Sequence, residues 1–270
     1  MESSERNDTS GGNDRTRGHI AITGASAGIG QAIAKAFAVA PNKLTLVARR
    51  RAPMEALAAE VPGVATHIAE ADMSALEQAA AWVDDAVRAN GPIDVLVLNA
   101  GVQLVGSALS FSVDESEAMF RTNVLAPLRL VRRVAPDMVA RGRGTIVIIS
   151  SMSAVTHTPN MADYSATKAA VSAFFETLRV ELAGTGVHVV TVYPGPVATD
   201  MEKAARSNLQ EGLLTRSIPM GSPDGLARLV KDAVRKQQGV LTYPRVYGAA
   251  RVARWTSQWL TYRFAPKAKR

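Results

Sequence analysis

The chain contains no cysteine among its 270 residues. This absence excludes a disulfide framework, a zinc–cysteine site, an iron–sulfur cluster and a cysteine nucleophile. The sequence also lacks any run of about 18 consecutive apolar residues, so no transmembrane helix is expected. The polar N-terminus, MESSERNDTSGGNDRTRG, lacks the apolar segment of a secretory signal peptide. We therefore expect a cytoplasmic protein.

Acidic residues are missing from the last part of the chain. Residues 239–270 hold seven Lys and Arg side chains and no Asp or Glu, which accounts for the whole formal net charge of +7. Residues 1–238 are consequently neutral overall. The charge therefore belongs to a C-terminal segment and does not indicate a basic nucleic-acid-binding domain. We expect no nucleic-acid partner.

The basic segment also carries a helical stripe of large side chains within residues 246–262. The stripe consists of Val252, Trp255, Trp259 and Tyr262, with Arg251 and Arg254 beside it. Such a stripe usually packs on the protein's own body or across a subunit interface. Tryptophan and arginine on a helix without acidic residues are also typical of an interfacial membrane helix, so peripheral membrane contact remains an alternative.

Composition is otherwise that of an ordinary globular protein, at 47% hydrophobic and 20% charged residues. No linker or composition break interrupts the middle of the chain. We expect a disordered polar leader at 1–17, one domain at 18–238 and a basic amphipathic extension at 239–270.

Short apolar runs alternate with stretches of helical period from residue 19 to residue 193. The predicted strands are 19–23, 44–48, 64–69, 95–98, 145–150 and 188–193. Their residues are apolar at nearly every position, which is typical of a parallel sheet buried on both faces. Ser74 with Glu77, and Ser112 with Glu115, have the spacing of capping boxes at helix starts. The pattern predicts a doubly wound α/β fold.

Glycines at 24, 28 and 30 follow the first strand and open the first helix. Glycine lets the backbone turn tightly and approach a ligand, and the helix N-terminus offers N–H groups to a phosphate. The second strand ends at Arg49-Arg50-Arg51. At this position a dinucleotide-binding site recognises the adenosine ribose, through an acidic residue for the 2′-hydroxyl of NAD or an arginine for the 2′-phosphate of NADP. Arginine without a carboxylate there favours a 2′-phosphate, and hence NADP over NAD.

Tyr164 and Lys168 lie four residues apart, so both fall on one face of a helix. A nearby cation stabilises a phenolate, and the pair can then exchange a proton with a hydroxyl or carbonyl group. Ser151, at the end of the fifth strand, can donate a hydrogen bond to the same oxygen. Taken alone, Tyr and Lys at this spacing are common on exposed helices.

Seven motifs together resemble the short-chain dehydrogenase/reductase family. In order, they are TGASAGIG (23–30), Asp72, LNAG (98–101), Asn123 in FRTNV, SS (150–151), YSATK (164–168) and YPGPVATDM (193–201). The resemblance implies a Rossmann-type, seven-stranded parallel sheet of order 3-2-1-4-5-6-7. It also implies hydride transfer between a nicotinamide cofactor and a carbonyl or secondary alcohol, in a homodimer or homotetramer.

The resemblance also implies roles for individual residues. The catalytic set is Asn123 (supporting a proton-relay water), Ser151 (orienting the substrate), Tyr164 (acid/base) and Lys168. The cofactor-binding set is Gly24, Ser26, Gly28, Ile29, Gly30, Arg49, Asp72, Asn99, Ala100, Gly101, Tyr164, Lys168, Pro194, Val197 and Thr199. No metal is expected.

The alternative function is a non-catalytic cofactor-binding protein on the same fold, since a fold does not by itself determine function. Met201 and Met220 flank a long loop at 195–222. These methionines either pack within the loop or line an apolar pocket, and a pocket of that kind would favour an apolar small-molecule substrate. His157, between Ser151 and Tyr164, is a candidate substrate contact by position.

Overall fold

The computed structural model describes residues 14–207 and 219–264, apart from the side chains at positions 252, 254, 262 and 264. Residues 1–13 of the expected leader, part of the 195–222 loop and the basic residues Lys267, Lys269 and Arg270 lie outside this description. So do the side chains of Val252 and Tyr262 in the predicted stripe.

A seven-stranded parallel sheet forms the centre of the molecule. Its strands are β1 (His19–Thr23), β2 (Lys43–Ala48), β3 (Ala65–Glu70), β4 (Ile93–Leu98), β5 (Gly144–Ile149), β6 (Val187–Pro194) and β7 (Val240–Tyr243). Their order is β3-β2-β1-β4-β5-β6-β7, and every neighbouring pair is parallel. The structure confirms the predicted Rossmann-type fold and its strand order.

Helices cover both faces of the sheet, which explains the unbroken apolar strands. The helices are α1 (Gly28–Phe37), α2 (Arg51–Glu60), α3 (Trp82–Asn90), α4 (Val113–Phe120), α5 (Ala126–Ala140), α6 (Ala162–Glu181), α7 (Asp200–Ser207), α8 (Pro223–Arg235), α9 (Gly248–Val252) and α10 (Arg254–Phe264). Helices α1, α2 and α8 pack on one face, and α3, α5 and α6 pack on the other. All five residues of β1 are buried between these layers.

Two boundaries differ from the sequence expectation. Strand β7 lies beyond residue 238, so the sheet unit extends into the segment expected to be a separate extension. Residues 14–17, expected within the disordered leader, contact the domain at the amino ends of β5 and β6. The guanidinium of Arg15 donates to the carbonyl of Gly186 at 2.9 Å, and Thr16 is buried. Hydrogen bonds to backbone carbonyls hold this short polar segment in place.

One predicted capping box is confirmed and the other is wrong. The Ser112 side chain accepts from the Glu115 N–H while the Glu115 carboxylate accepts from the Ser112 N–H, and α4 starts there. Ser74 starts no helix, because its N–H and hydroxyl both donate to Asp72 Oδ1, at 2.9 and 2.8 Å. The helix in this region begins only at Trp82.

The C-terminal helices lie against the domain through polar contacts. Arg251 pairs with Glu176 at 2.7 Å and lies over the Tyr193 ring. The amide of Gln258 accepts from the backbone N–H of His157 at 2.6 Å and donates to its carbonyl at 2.8 Å. Trp255 and Trp259 are 84% and 63% exposed. Most of the surface of these two tryptophans is therefore not covered by the described residues of the chain, and a subunit interface and a membrane surface stay as alternatives. Within the described ranges, no helix is long and apolar enough to span a membrane.

Candidate active site

A cavity of about 1390 Å³ opens at the carboxyl ends of the strands. It extends from the glycine turn after β1, past the ends of β2, β4 and β5, to α7 and α10. In a doubly wound sheet, ligands bind in the crevice outside these strand ends. The cavity therefore lies where the fold places a ligand.

The glycine turn forms the floor of this cavity. Gly24 has φ of +68°, and a Cβ there would come within 2.7 Å of the Asn99 amide nitrogen. Gly28 has φ of +57° and lies against Thr199. Both positions therefore require glycine. Ser26 and Ile29 line the cavity as expected. Gly30 does not line the cavity. A Cβ at Gly30 would stand 2.2 Å from the Gly24 carbonyl oxygen. Its role is to let helix α1 pack closely on the turn.

Thr23 holds the Asn99–Gly101 segment beside the glycine turn. Its hydroxyl accepts from the N–H groups of Asn99 and Ala100, at 3.0 and 3.1 Å. The Asn99 amide donates back to the carbonyls of Thr23 and Gly24. Asn99, Ala100 and Gly101 all line the cavity. These hydrogen bonds hold the segments that follow β1 and β4 next to each other in the cavity wall.

The arginines after β2 have different environments. Arg49 and Arg50 line the cavity. Arg51 does not, and it pairs with Glu55 at 2.7 Å and with Glu70 at 3.6 Å. Asp72 also lines the cavity, and the hydrogen bond from the Ser74 N–H lowers its pKa, with the charge of Arg49 acting in the same direction. An ionised carboxylate and two arginines therefore border this end of the cavity.

Tyr164 is buried at the middle of the cavity, on the first turn of α6. Burial raises the pKa of its hydroxyl to about 12, a hydrogen bond from Ser151 opposes the rise, and the charge of Glu202 on α7 adds to it. Tyr164 is therefore protonated at neutral pH. It is in the form that can give a proton away.

Lys168 lies one turn further along α6, and its ammonium is 5.7 Å from the centroid of the Tyr164 ring. The same nitrogen donates to the carbonyl of Ile149 at 2.9 Å. Burial lowers the pKa of Lys168 to about 8, which still leaves it mostly charged at neutral pH. Lys168 therefore lies beside the Tyr164 ring as predicted. The expected stabilisation of the phenolate does not lower the pKa of Tyr164, because burial raises it.

Ser151 follows β5 and borders the cavity. Its hydroxyl oxygen accepts from the N–H of Ser153 at 3.1 Å and from the hydroxyl of Ser153 at 2.9 Å. Sequence analysis did not identify Ser153. Nothing in the residue spacing distinguishes it from the other serines of this segment.

Asn123 is buried but does not line the cavity. Its carbonyl oxygen accepts from the Val102 N–H at 2.8 Å, and its amide donates to the Val102 carbonyl and to Thr167, at 2.8 and 3.1 Å. It lies in a π-helical turn, Arg121–Leu125, between α4 and α5. Such turns often occur at functional sites. Its side chain joins the loop after β4 to α6 instead of facing a ligand.

Apolar side chains line part of the cavity, next to charged side chains of α7 such as Glu202 and Lys203. The apolar lining includes Leu104, Met152, Met161, Met201 and Leu260. Pro194, Val197 and Thr199 also line the cavity, as expected. Met220 does not line it and is 46% exposed. His157 does not line it either, because its ring bonds the Ser153 carbonyl at 3.1 Å and its backbone bonds Gln258.

The arrangement fits a nicotinamide dinucleotide. The Lys168 ammonium is buried, has three N–H donors and makes one hydrogen bond to the described residues, to Ile149. Its remaining donors suit ribose hydroxyls. The glycine turn allows close backbone approach by a pyrophosphate, and Arg49 and Asp72 are placed for the adenosine end.

Comparison with known proteins agrees with this geometry. The short chain dehydrogenase family model matches residues 18–210. A dehydrogenase/reductase SDR family protein 7-like of Anopheles gambiae is 32% identical, over 87% of this chain and 77% of its own.

Two solved structures have the same fold. One is a short-chain dehydrogenase/reductase from Burkholderia phymatum in complex with NAD, with a TM-score of 0.79, 26% identity and coverage of 92% of this chain and 96% of its own. The other is a short-chain dehydrogenase from Sphingobium yanoikuyae in complex with NADPH, with a TM-score of 0.77, 30% identity and coverage of 88% and 94%. The chain is an oxidoreductase of the short-chain dehydrogenase/reductase family.

Proposed function

We propose that this protein is an NADP-dependent oxidoreductase that interconverts a carbonyl compound and a secondary alcohol. The observation that supports this most strongly is one cavity that joins the glycine turn to Ser151, Tyr164 and Lys168. The substrate is a small molecule whose oxygen lies between the Ser151 and Tyr164 hydroxyls.

In the reducing direction, the Tyr164 hydroxyl gives its proton to the substrate oxygen as the carbonyl bond opens. When bound, the dinucleotide supplies the hydride that reaches the carbonyl carbon. The phenolate left on Tyr164 is stabilised by the hydrogen bond from Ser151 and by the nearby Lys168 ammonium. Oxidation of the alcohol reverses these steps, with the Tyr164 phenolate accepting the proton.

A panel of carbonyl compounds tests this function. We expect purified protein to consume NADPH with ketones that carry long aliphatic or ring substituents, because Leu104, Met152, Met161, Met201 and Leu260 line the substrate end. Small polar ketones should turn over slowly. Turnover of small polar ketones alone would contradict the proposed substrate class, and no NADPH consumption with any compound would contradict the proposed function.

The preference for NADP depends on Arg49. Replacing Arg49 with Ala should weaken NADPH binding about 10- to 100-fold, because a charged hydrogen bond to the 2′-phosphate is lost. Binding of NADH should change little. Fluorescence titration with both cofactors measures the two constants.

Arg51→Ala is the matched control for this measurement. Arg51 carries the same charge two positions away, but it pairs with Glu55 and Glu70 outside the cavity. Its replacement should leave both constants unchanged. Equal loss of NADPH affinity in the two variants would indicate a general effect of charge. It would contradict a specific contact between Arg49 and the 2′-phosphate.

We also propose that the C-terminal face makes peripheral contact with an anionic membrane surface. Trp255 and Trp259 are one turn apart on α10, and both are exposed. Exposed Arg245 and Val246 lie nearby in sequence, and the segment has no acidic residue. Leu260 both lines the cavity and is 45% exposed. This face therefore combines basic charge with apolar surface at the cavity mouth, as interfacial helices do.

Vesicle sedimentation tests this contact. The protein should pellet with phosphatidylserine-containing vesicles more than with pure phosphatidylcholine, and Trp255→Ser/Trp259→Ser should lose most of that binding. Val39→Ser, at an exposed apolar position on the loop after α1, should keep it. Undiminished binding by the double variant would contradict the proposal, as would equal binding to both vesicle types.

We further propose a homodimer or homotetramer, as the family resemblance implies. Leu109 and Val113 are 97% and 73% exposed, which supports burial of this surface in an assembly. Sedimentation velocity of the purified protein should show an oligomer, and a monomer at micromolar concentration would contradict it.

A further inference from the structure

We propose that Ser153 is a positioning residue that forces the Ser151 hydroxyl to act as a hydrogen-bond donor. This inference rests on the proposed function, since it concerns how the same site holds its reacting proton. It starts from the hydrogen bonds around one oxygen atom.

A serine hydroxyl has two acceptor lone pairs and one donor hydrogen. In Ser151, both acceptor positions are taken by one neighbouring residue. The Ser153 N–H donates to this oxygen at 3.1 Å, and the Ser153 hydroxyl donates to it at 2.9 Å. The only remaining capacity of Ser151 is to donate its own proton.

Ser151 and Tyr164 line the same cavity, so the Tyr164 oxygen or a substrate oxygen beside it can accept that hydrogen bond. The hydrogen bond from Ser151 lowers the pKa of Tyr164, against the larger effect of burial, which is the direction expected when Ser151 donates. Because its acceptor positions are occupied, the Ser151 hydroxyl can only donate a hydrogen bond. It can therefore stabilise negative charge on the tyrosine oxygen or on a substrate oxygen beside it. Such fixed donors are effective because they need no rearrangement during the reaction.

Ser153 is itself held from the other side. Its carbonyl lies 3.1 Å from Nδ1 of His157, and the His157 backbone is held on both sides by the Gln258 amide. Ser153 is buried and is part of the 3₁₀ turn Met152–Ala154. A chain of hydrogen bonds therefore runs from α10 to the catalytic serine. This chain holds the backbone of Ser153, whose N–H and hydroxyl both donate to Ser151.

Replacing Ser153 with Ala tests the inference, because it frees one lone pair of Ser151 while the N–H contact remains. Ser151 can then accept a hydrogen bond from the Tyr164 hydroxyl instead of donating one. The kcat for carbonyl reduction should fall about tenfold with little change in the KM for NADPH. The pH limb at which reduction is lost should move upward, because the phenolate is less stabilised. Ser153→Thr keeps the hydroxyl and should restore most of the activity.

Ser165→Ala is the matched control. Ser165 follows Tyr164 in the sequence and is also buried. Its hydroxyl has no hydrogen-bond partner among the described residues. Its replacement should leave kcat and the pH profile unchanged. A pH profile for Ser153→Ala that matches that of the wild type would overturn the proposal, even if kcat fell.

A second readout does not require turnover. In protein labelled at the ring Cζ of tyrosine, the Tyr164 resonance can be assigned by its absence in Tyr164→Phe. We expect this resonance to move in Ser153→Ala and to stay in place in Ser165→Ala and Ser153→Thr. An unmoved resonance would overturn the role of Ser153, whereas a moved resonance in a protein without turnover would count against the proposed function alone.

Discussion

Replacing Tyr164 with Phe should lower kcat for carbonyl reduction about 10³-fold, because the variant has no proton to give to the substrate oxygen. The ring remains, and the side chain is buried at only 9% exposure, so the fold and the cofactor surface should be kept. NADPH affinity should therefore change less than threefold, since the hydroxyl acts mainly in the transition state. Steady-state kinetics and a fluorescence titration measure the two effects.

Tyr193→Phe provides the matched control, since it removes the same atom from another buried tyrosine. The Tyr193 hydroxyl donates to Glu176 at 2.8 Å and does not line the cavity. The variant should lose about 1 kcal/mol of stability and keep its turnover. Retention of more than a tenth of wild-type kcat by Tyr164→Phe would refute the assignment of Tyr164 as the acid/base.

Replacing Lys168 with Met should have the second-largest effect, on both catalysis and the pH dependence of stability. We expect kcat to fall about 10²-fold or more, because the cation that stabilises the Tyr164 phenolate is lost. Lys231→Met removes a lysine that also lies over a ring, that of Phe37, and donates to a backbone carbonyl, that of Ala36. It lies outside the cavity and should keep its turnover.

The pH dependence follows from the pKa of Lys168, which burial lowers from 10.5 to about 8. A lowered lysine pKa means that the folded state holds the proton less tightly than the unfolded chain. The resulting penalty on stability is full below pH 8 and disappears as the pH rises towards 10.5. The wild type should therefore gain roughly 2 to 3 kcal/mol of unfolding free energy relative to Lys168→Met between pH 7 and pH 10.

Urea unfolding of both proteins at several pH values measures this difference. A stability difference that stays constant from pH 7 to pH 10 would show that Lys168 is not the buried, weakly basic group described here. Tyrosines of the unfolded chain begin to ionise near pH 10, but both proteins contain the same five tyrosines, so this contribution cancels in the difference between them.

The fold could be predicted from sequence because its signals are local. Unbroken apolar strands between helical stretches identify a parallel sheet covered on both faces, and a strand followed by glycines and a helix marks the ligand edge. The i, i+4 spacing of Tyr164 and Lys168 likewise places them on one helix face, and the structure shows them 5.7 Å apart.

Predictions from local sequence patterns were wrong where a residue made a different contact in the folded chain. Ser74 and Glu77 have the spacing of a capping box, but Asp72 takes both donors of Ser74, and the helix begins at Trp82. Gly30 belongs to the glycine motif, yet it allows helix packing and does not line the cavity. In each case, a competing contact decided the outcome.

The sequence by itself determined the doubly wound α/β class, the glycine turn, the position of Tyr164 and Lys168 and the basic C-terminal segment, and its family resemblance implied the strand order. The tertiary structure decided that Arg49 faces the cavity while Arg51 pairs with Glu55 and Glu70. It also decided that Gln258 holds His157, 101 residues away, and that Asn123 joins two elements of the domain. The physical reason is range: periodicity and helix spacing act over a few residues, whereas the direction and partner of a side chain depend on segments that only the folded chain brings together.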